Sequence, residues 1–250
     1  MICKAKPHTQ TESGFYKRAL PAQQISFSSD SGRTLFQEAL LAGGMRNFFP
    51  LIEQFHTQAE PSYCGISSLV MVLNALQVDP KRLWKGVWRW YSEEIADCCQ
   101  QLQAIEKDGI SLHGLAGMAR CNGLAAECVH ADASGAGLQQ FRQLVQQVCH
   151  GARPDGSPCG ADELPGRALL AAYSRAALGQ TGDGHFSPIG GYHAGRDLVL
   201  LLDVARFKYP PHWVALSDLW QAMQYADSQS GMARGYMLLA VEPSDSGDPC

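Results

Sequence analysis

The feature that most constrains the fold is a mostly buried helix that begins at a cysteine. After Pro61 and Cys64, apolar residues recur at helical spacing and predict one buried face: Ile66, Leu69, Val70, Leu73 and Leu76. N–H groups in the first turn of a helix lack intrahelical partners, and the positive end of the helix dipole favours a thiolate there. Cys64 is therefore a candidate nucleophile. Gln58, six residues upstream, is a candidate further hydrogen-bond donor.

A thiolate that transfers acyl groups needs a base and a group that orients the base. His185 lies among glycines at the start of one apolar segment, and the apolar run 198–202 ends at Asp203. A hairpin of these two strands would bring His185 and Asp203 side by side. The order Cys, His, Asp is that of papain-like enzymes. A core cysteine, a structural histidine and a turn aspartate are the alternatives, because such spacing does not transfer between families.

Longer strings of residues are more specific than this spacing. Four segments closely resemble phytochelatin synthase, and the resemblance extends over about residues 15–241; the segments are 57–65, 84–90, 184–192 and 202–214. It implies that Cys64 is the nucleophile, His185 the general base, Asp203 the orienting carboxylate and Gln58 an oxyanion-hole donor. It also implies that five further residues lie around the substrates: Arg206, Lys208, Tyr209, Asp227 and Arg234.

The resemblance implies a transpeptidation on glutathione. The thiolate would attack the Cys–Gly bond of γ-Glu-Cys-Gly, glycine would leave, and a second glutathione would take the γ-Glu-Cys group. The products would be phytochelatins, which chelate cadmium. No organic cofactor is implied, and Cd²⁺, Zn²⁺ or Cu⁺ would enter as a metal–glutathione thiolate. Arg206 and Lys208 suit the glutathione carboxylates, and Glu60 is a candidate partner for its amine.

The fold class implied by the resemblance is papain-like α+β. A helical lobe would carry Cys64, and an antiparallel sheet lobe would carry His185 and Asp203. The expected domains are a flexible tail, a catalytic domain and a polar tail, at 1–14, 15–241 and 242–250. The cysteine-rich C-terminal region of plant-type relatives would be absent from this chain.

Local patterns predict most of the remaining elements. Helices are expected at 31–41, 92–105, 111–122 and 137–149, a long loop at 150–166 and a last strand at 235–241. The Ala- and Leu-rich segment 168–178 is typical of a helix. The resemblance instead makes 169–174 a strand, and we follow it because sheet context overrides propensity.

Composition bounds the functions further. The chain has 250 residues, 46% of them hydrophobic, which suffices for one domain with a sizeable core. A net charge of −4 without a basic stripe argues against nucleic acid as a partner. The absence of a long apolar run argues against a membrane span, and we expect no membrane partner. Because the N-terminus also lacks an apolar signal core, we expect a cytoplasmic protein. The family resemblance implies that it acts on small molecules. A homodimer is a further expectation.

The nine cysteines are an odd number, which favours reduced thiols over a disulfide framework. Cys98, Cys99 and Cys121 match cysteines of the family, so they are candidate metal ligands; the alternative is small core residues on a helix. Two other functions stay open. One is a peptidase that releases glycine from glutathione or its conjugates without polymerisation, and the other is a non-catalytic thiol protein that binds metal.

Overall fold

A computed structural model describes residues 17–96, 102–153, 157, 160 and 166–241. Its strands are β1 (Ile25–Ser26), β2 (Leu124–His130), β3 (Arg167–Ser174), β4 (Gly184–His193), β5 (Leu198–Leu201), β6 (His212–Ala215) and β7 (Gly235–Val241). Its α-helices are α1 (Asp30–Leu41), α2 (Phe48–Ile52), α3 (Cys64–Ala75), α4 (Glu93–Ala96), α5 (Leu102–Asp108), α6 (Leu112–Cys121), α7 (Gly135–Cys149) and α8 (Leu216–Met223).

The strands form one sheet in the order β1-β6-β5-β4-β3-β7-β2, and every neighbouring pair is antiparallel. The mixture of helices with an antiparallel sheet confirms the predicted α+β class. The central strands β3 and β4 are buried over nearly their full length, since helices pack against both faces of the sheet.

Strand β3 shows how the two faces are used. Side chains alternate between the faces of a strand. Leu170 and Ala172 join the core beneath α1, α3 and α6, whereas Leu169 and Tyr173 join a second core beneath α7 and α8. All eight residues of β3 are buried, so the helix-like composition of 168–178 is overridden by packing between two layers. The predicted strand at 169–174 is confirmed.

Several predicted helices are confirmed with small shifts of their bounds. Helix α1 matches 31–41, α6 matches 111–122, and α7 begins two residues before the predicted start because Ser134 caps it by accepting the Gly137 N–H. The single helix predicted over 92–105 corresponds to α4 and α5, and residues 97–101 between them lie outside the described part of the chain. Strands β2 and β6 and helix α8 were not predicted.

Candidate active site

Helix α3 places Cys64 at its first position, as predicted. Nearly every later residue of this helix is buried, because α3 packs against the middle of the sheet, chiefly strand β4. The Ser68 hydroxyl donates a hydrogen bond to the Phe186 carbonyl at 3.3 Å and ties the helix to the strand that carries His185. The nucleophile and its candidate base are therefore held by two rigid elements in direct contact.

The hairpin of β4 and β5 brings His185 and Asp203 together. His185 Nε2 lies 2.8 Å from Asp203 Oδ1, and the two residues are 4% and 0% exposed. The Ala205 N–H donates to the same carboxylate oxygen at 2.9 Å, which fixes the carboxylate just beyond the end of β5. Because Nε2 is used by Asp203, the Nδ1 atom of His185 is the ring nitrogen left for the thiol.

Arg175, one residue beyond β3, is a site residue that the sequence analysis missed. Its Nη2 atom lies 2.9 Å from Asp203 Oδ1 and 2.8 Å from Oδ2, with the Arg175 side chain 3% exposed. Nη1 donates to the buried Gln180 side chain, and the guanidinium stacks 5.1 Å from the Tyr209 ring. A buried carboxylate needs a paired charge or donors, which predicts a partner for Asp203 without naming it.

The ionisable groups of this buried site shift one another's pKa values. Burial would raise the pKa of Cys64, but the opposing charge and hydrogen bond of His185, the Phe186 N–H and the Arg175 guanidinium hold that pKa below its usual value. Burial and Arg175 would lower the pKa of His185, yet Asp203 and the Cys64 thiolate raise it above its usual value. Against its own burial, Asp203 keeps a pKa far below the usual range because His185 and Arg175 surround it. The arrangement favours a thiolate–imidazolium pair.

A cleft of about 220 Å³ opens over the thiol. Its lining includes Cys64 and His185 together with Asp227 and Arg234. Arg234 is 5% exposed, and its Nη2 atom lies 3.2 Å from an Asp183 oxygen and 3.8 Å from an Asp227 oxygen. The cleft therefore presents a guanidinium and carboxylates together, which suits a ligand that carries both an amine and a carboxylate.

The other predicted substrate residues lie outside this cleft. The Arg206 guanidinium stacks 4.9 Å from the Phe55 ring, and the Glu60 side chain is exposed. Tyr209 is buried beside the Arg175 guanidinium, and its hydroxyl accepts the Thr181 N–H at 2.8 Å. Lys208 approaches the same region, and burial together with the Arg175 charge lowers its pKa. Neighbours of Asp203 along the chain thus diverge from the cleft that holds Cys64.

Gln58 is buried in the loop before the nucleophile. Its Nε2 atom donates to the Glu60 and Pro61 carbonyls at 2.7 and 2.8 Å, and its backbone N–H donates to the Val204 carbonyl. The side-chain amide therefore braces the turn that leads into Cys64. Its role as an oxyanion donor stays a prediction.

The three candidate metal ligands were predicted to be reduced thiols. Cys121, the last residue of α6, is disulfide-bonded instead, and Cys98 and Cys99 lie outside the described residues. A disulfide sulfur is not a thiolate, so the predicted ligand role of Cys121 applies only to its reduced form. Across the described residues, no three His, Cys, Asp or Glu side chains are grouped so as to hold a metal ion.

Within the described part of the chain, no helix is both long and apolar enough to cross a membrane.

Comparison with known proteins identifies the family directly. The family model of phytochelatin synthase matches residues 15–236.

The chain belongs to the phytochelatin synthase family.

Curated relatives agree with this membership. Glutathione gamma-glutamylcysteinyltransferase 1 of Lotus japonicus is 45% identical over 240 residues, which are 94% of this chain and 44% of the relative. The Arabidopsis thaliana protein of the same name is 45% identical over 238 residues, 93% of this chain and 45% of the relative. The Schizosaccharomyces pombe glutathione gamma-glutamylcysteinyltransferase is 44% identical over 232 residues, 92% of this chain and 52% of the relative. The chain thus spans about half the length of these relatives.

Proposed function

We propose that this chain is a γ-glutamylcysteine dipeptidyl transpeptidase that makes phytochelatins from glutathione. The observation that carries the proposal is the group of Cys64, His185 and Asp203, with His185 Nε2 2.8 Å from Asp203 Oδ1, in which Cys64 and His185 line a cleft that also contains Arg234. The charge and hydrogen bond of His185 help to lower the pKa of Cys64. The names of the relatives, glutathione gamma-glutamylcysteinyltransferase, supply the substrate and the transferred group. Such a pair is suited to acyl transfer, because a lowered thiol pKa increases the fraction of the nucleophilic thiolate.

In the proposed first half-reaction, the Cys64 sulfur attacks the carbonyl carbon of the Cys–Gly peptide bond. The carbonyl oxygen becomes an oxyanion, which the Cys64 backbone N–H at the start of α3 would stabilise, with Gln58 as the further candidate donor. Loss of one such donor typically raises the barrier by about 3 kcal/mol. His185 gives its Nδ1 proton to the glycine nitrogen as the C–N bond breaks, which leaves a γ-Glu-Cys thioester on Cys64.

In the second half-reaction, the α-amine of another glutathione attacks the thioester carbonyl. His185 takes the amine proton, the C–S bond breaks and Cys64 returns to its thiolate form. Asp203 keeps its charge throughout, orients the imidazole through Nε2 and stabilises the imidazolium. The helix-borne cysteine facing a histidine and an aspartate on an antiparallel sheet supports a papain-like fold.

The charges of the cleft suit the γ-glutamyl end of glutathione. The Arg234 guanidinium would pair with its α-carboxylate, and Asp227 or Asp183 would accept hydrogen bonds from its α-amine. Arg206 and Lys208 remain candidates for the carboxylates of the acceptor glutathione. Cd²⁺ would enter as a thiolate complex of the substrate. The cytosol is the proposed compartment, because the Cys64 nucleophile must stay reduced; Cys64, Cys128 and Cys149 are free thiols, whereas the disulfide of Cys121 runs against this argument.

The test is incubation with glutathione, with and without Cd²⁺, followed by mass spectrometry of the products. Peptides of the form (γ-Glu-Cys)₂-Gly and longer support the proposal. Free glycine with γ-Glu-Cys alone would identify a peptidase, and metal binding without turnover would identify a thiol metal-binding protein. The Cys64→Ser variant should form no product above background. Product formation by this variant at the wild-type rate would refute the mechanism.

The pH dependence of the acylation rate should also reflect the shifted pKa values of Cys64 and His185. The pKa of Cys64 is lowered from 9.0, so the rate should rise with pH through a midpoint below 9.0 as the thiolate forms. The pKa of His185 is raised from 6.5, so the rate should fall only above 6.5, when the imidazolium proton is lost. Single-turnover release of glycine across this range measures both limbs. A midpoint of the rising limb at or above 9.0 would contradict the assigned thiolate.

A further inference from the structure

A short segment at the surface is unusual in this chain. Residues 81–90, here called the tryptophan hairpin, are all exposed. The Trp84 N–H donates to the Trp88 carbonyl at 2.8 Å, and the Trp88 N–H donates to the Lys85 carbonyl at 3.0 Å. Gly86 has a φ of +58°, which permits the tight turn. The turn therefore lies at the surface, where Trp84 and Trp90 also line a shallow pocket with Phe55 and Asn74.

The tryptophan hairpin combines large apolar side chains with positive charge. Five apolar side chains are between 37% and 80% exposed: Leu83, Trp84, Val87, Trp88 and Trp90. Four basic residues alternate with them: Lys81, Arg82, Lys85 and Arg89. The whole chain carries a net charge of −4, so this local excess of positive charge runs against the balance of the protein.

The base of the tryptophan hairpin is fixed to the body of the protein. The Tyr91 N–H donates to Asn74 Oδ1 at 3.1 Å, and Asn74 Nδ2 donates to the Tyr91 carbonyl at 3.0 Å, which ties the end of the segment to helix α3. Arg89 pairs with Asp79 at 2.7 Å. The Lys85 ammonium lies 4.6 Å above the Trp84 ring, so charge and aromatic surface are presented together.

We propose that the tryptophan hairpin docks the protein on an anionic lipid surface. Tryptophan prefers the boundary between headgroups and acyl chains, and basic side chains are attracted to anionic headgroups. Leu83 and Val87 are aliphatic, so their exposed surface is stabilised when it is buried at the boundary of the acyl chains. A nucleic acid base stacks on aromatic rings and would gain little from these two side chains. Such docking is peripheral and needs no membrane-spanning helix. The absence of a long apolar run therefore does not exclude it, although composition alone predicts no membrane partner.

Co-sedimentation with vesicles tests the proposal. The protein should bind phosphatidylserine-containing vesicles on the order of a hundredfold more tightly than pure phosphatidylcholine vesicles. The reason is that each basic side chain near an anionic surface contributes a factor of about five, and three basic residues are counted because Arg89 is paired with Asp79. The binding should weaken as salt is added. Emission from the exposed tryptophans should shift to shorter wavelength on binding.

Variants of the turn separate this surface from the rest of the molecule. Trp88→Ser and Lys85→Glu should each lower vesicle binding at least about fivefold. Leu41→Ser and Lys107→Glu are matched controls, because these residues are exposed but lie outside the tryptophan hairpin, and they should bind like the wild type. All four variants should keep wild-type glutathione turnover, which verifies folding.

Three results would overturn the proposal. The first is absence of binding to anionic vesicles at low salt. The second is vesicle binding that Trp88→Ser and Lys85→Glu leave unchanged. The third is capture of a single-stranded oligonucleotide without vesicle binding, because a strand would then be the partner of the aromatic and basic side chains.

Discussion

The buried pair of Arg175 and Asp203 gives the most informative perturbation. In Arg175→Met the carboxylate loses the guanidinium that lies 2.8–2.9 Å from both of its oxygens, while His185 and the Ala205 N–H remain. Removing one partner of a buried ion pair typically costs about 3–5 kcal/mol of stability, since the other charge stays buried. The pair is 3% and 0% exposed, so solvent screening reduces this figure little. We expect a loss of that size in denaturant unfolding.

The same variant should change the pKa values of groups in the candidate active site. Arg175 is one of the groups that lower the pKa of Cys64, so the thiol pKa should rise in Arg175→Met. Asp203 has a pKa depressed from 3.8, which means that its stabilising contribution is present above pH 3.8 and is lost as the pH falls. That acid-dependent loss should be smaller in the variant. The pH dependence of iodoacetamide alkylation reports the thiol, and unfolding at several pH values reports the carboxylate.

A second arginine–aspartate pair provides the control. Arg142 contacts Asp197 through two hydrogen bonds of 2.9–3.0 Å, but their side chains are 25% and 36% exposed. Arg142→Met should lower stability by about 1 kcal/mol or less and leave the Cys64 pKa unchanged. If Arg175→Met does not fold, Arg175→Lys is the alternative variant, because it keeps the positive charge but removes the guanidinium. Equal stability losses in the Arg142 and Arg175 variants, with no change in the thiol pKa, would refute the reasoning.

Two further predictions test thiol reactivity and packing. Limited alkylation at neutral pH should label Cys64 before Cys128 and Cys149, because burial raises the pKa of both other thiols; peptide mapping reads the order, and equal labelling would contradict it. Gly235→Ala should lower the free energy of unfolding by about 1–3 kcal/mol or more, because its Cβ would lie 1.9 Å from a backbone carbonyl oxygen of β2. Gly117 lies inside α6, and a Cβ added there would meet open space. Gly117→Ala should therefore be neutral or raise the free energy of unfolding in urea by about 0.5–1 kcal/mol. Equal effects of the Gly235 and Gly117 changes would contradict the packing argument.

The sequence alone determined the elements that carry the candidate catalytic residues, because the signals of these elements are local. Helical periodicity after Cys64 predicted a buried helix with a thiol at its start. Two apolar runs joined by a short turn predicted the hairpin that places His185 beside Asp203. The strand at 169–174 needed the family resemblance, since its Ala and Leu content favours a helix until both faces are covered.

Only the tertiary structure decided which distant residues complete the site. Arg175 reaches Asp203 across 28 positions because β3 ends beside β4, and no spacing rule encodes that contact. Arg234 reaches the cleft from the loop before β7, whereas Arg206 lies close to Asp203 in the chain and stacks on Phe55 elsewhere. Side chains in sequence proximity diverge where the chain leaves a strand. Long-range pairing in the sheet, set by packing of both its faces, therefore decides which residues line the cleft and places the Arg175 charge beside Asp203.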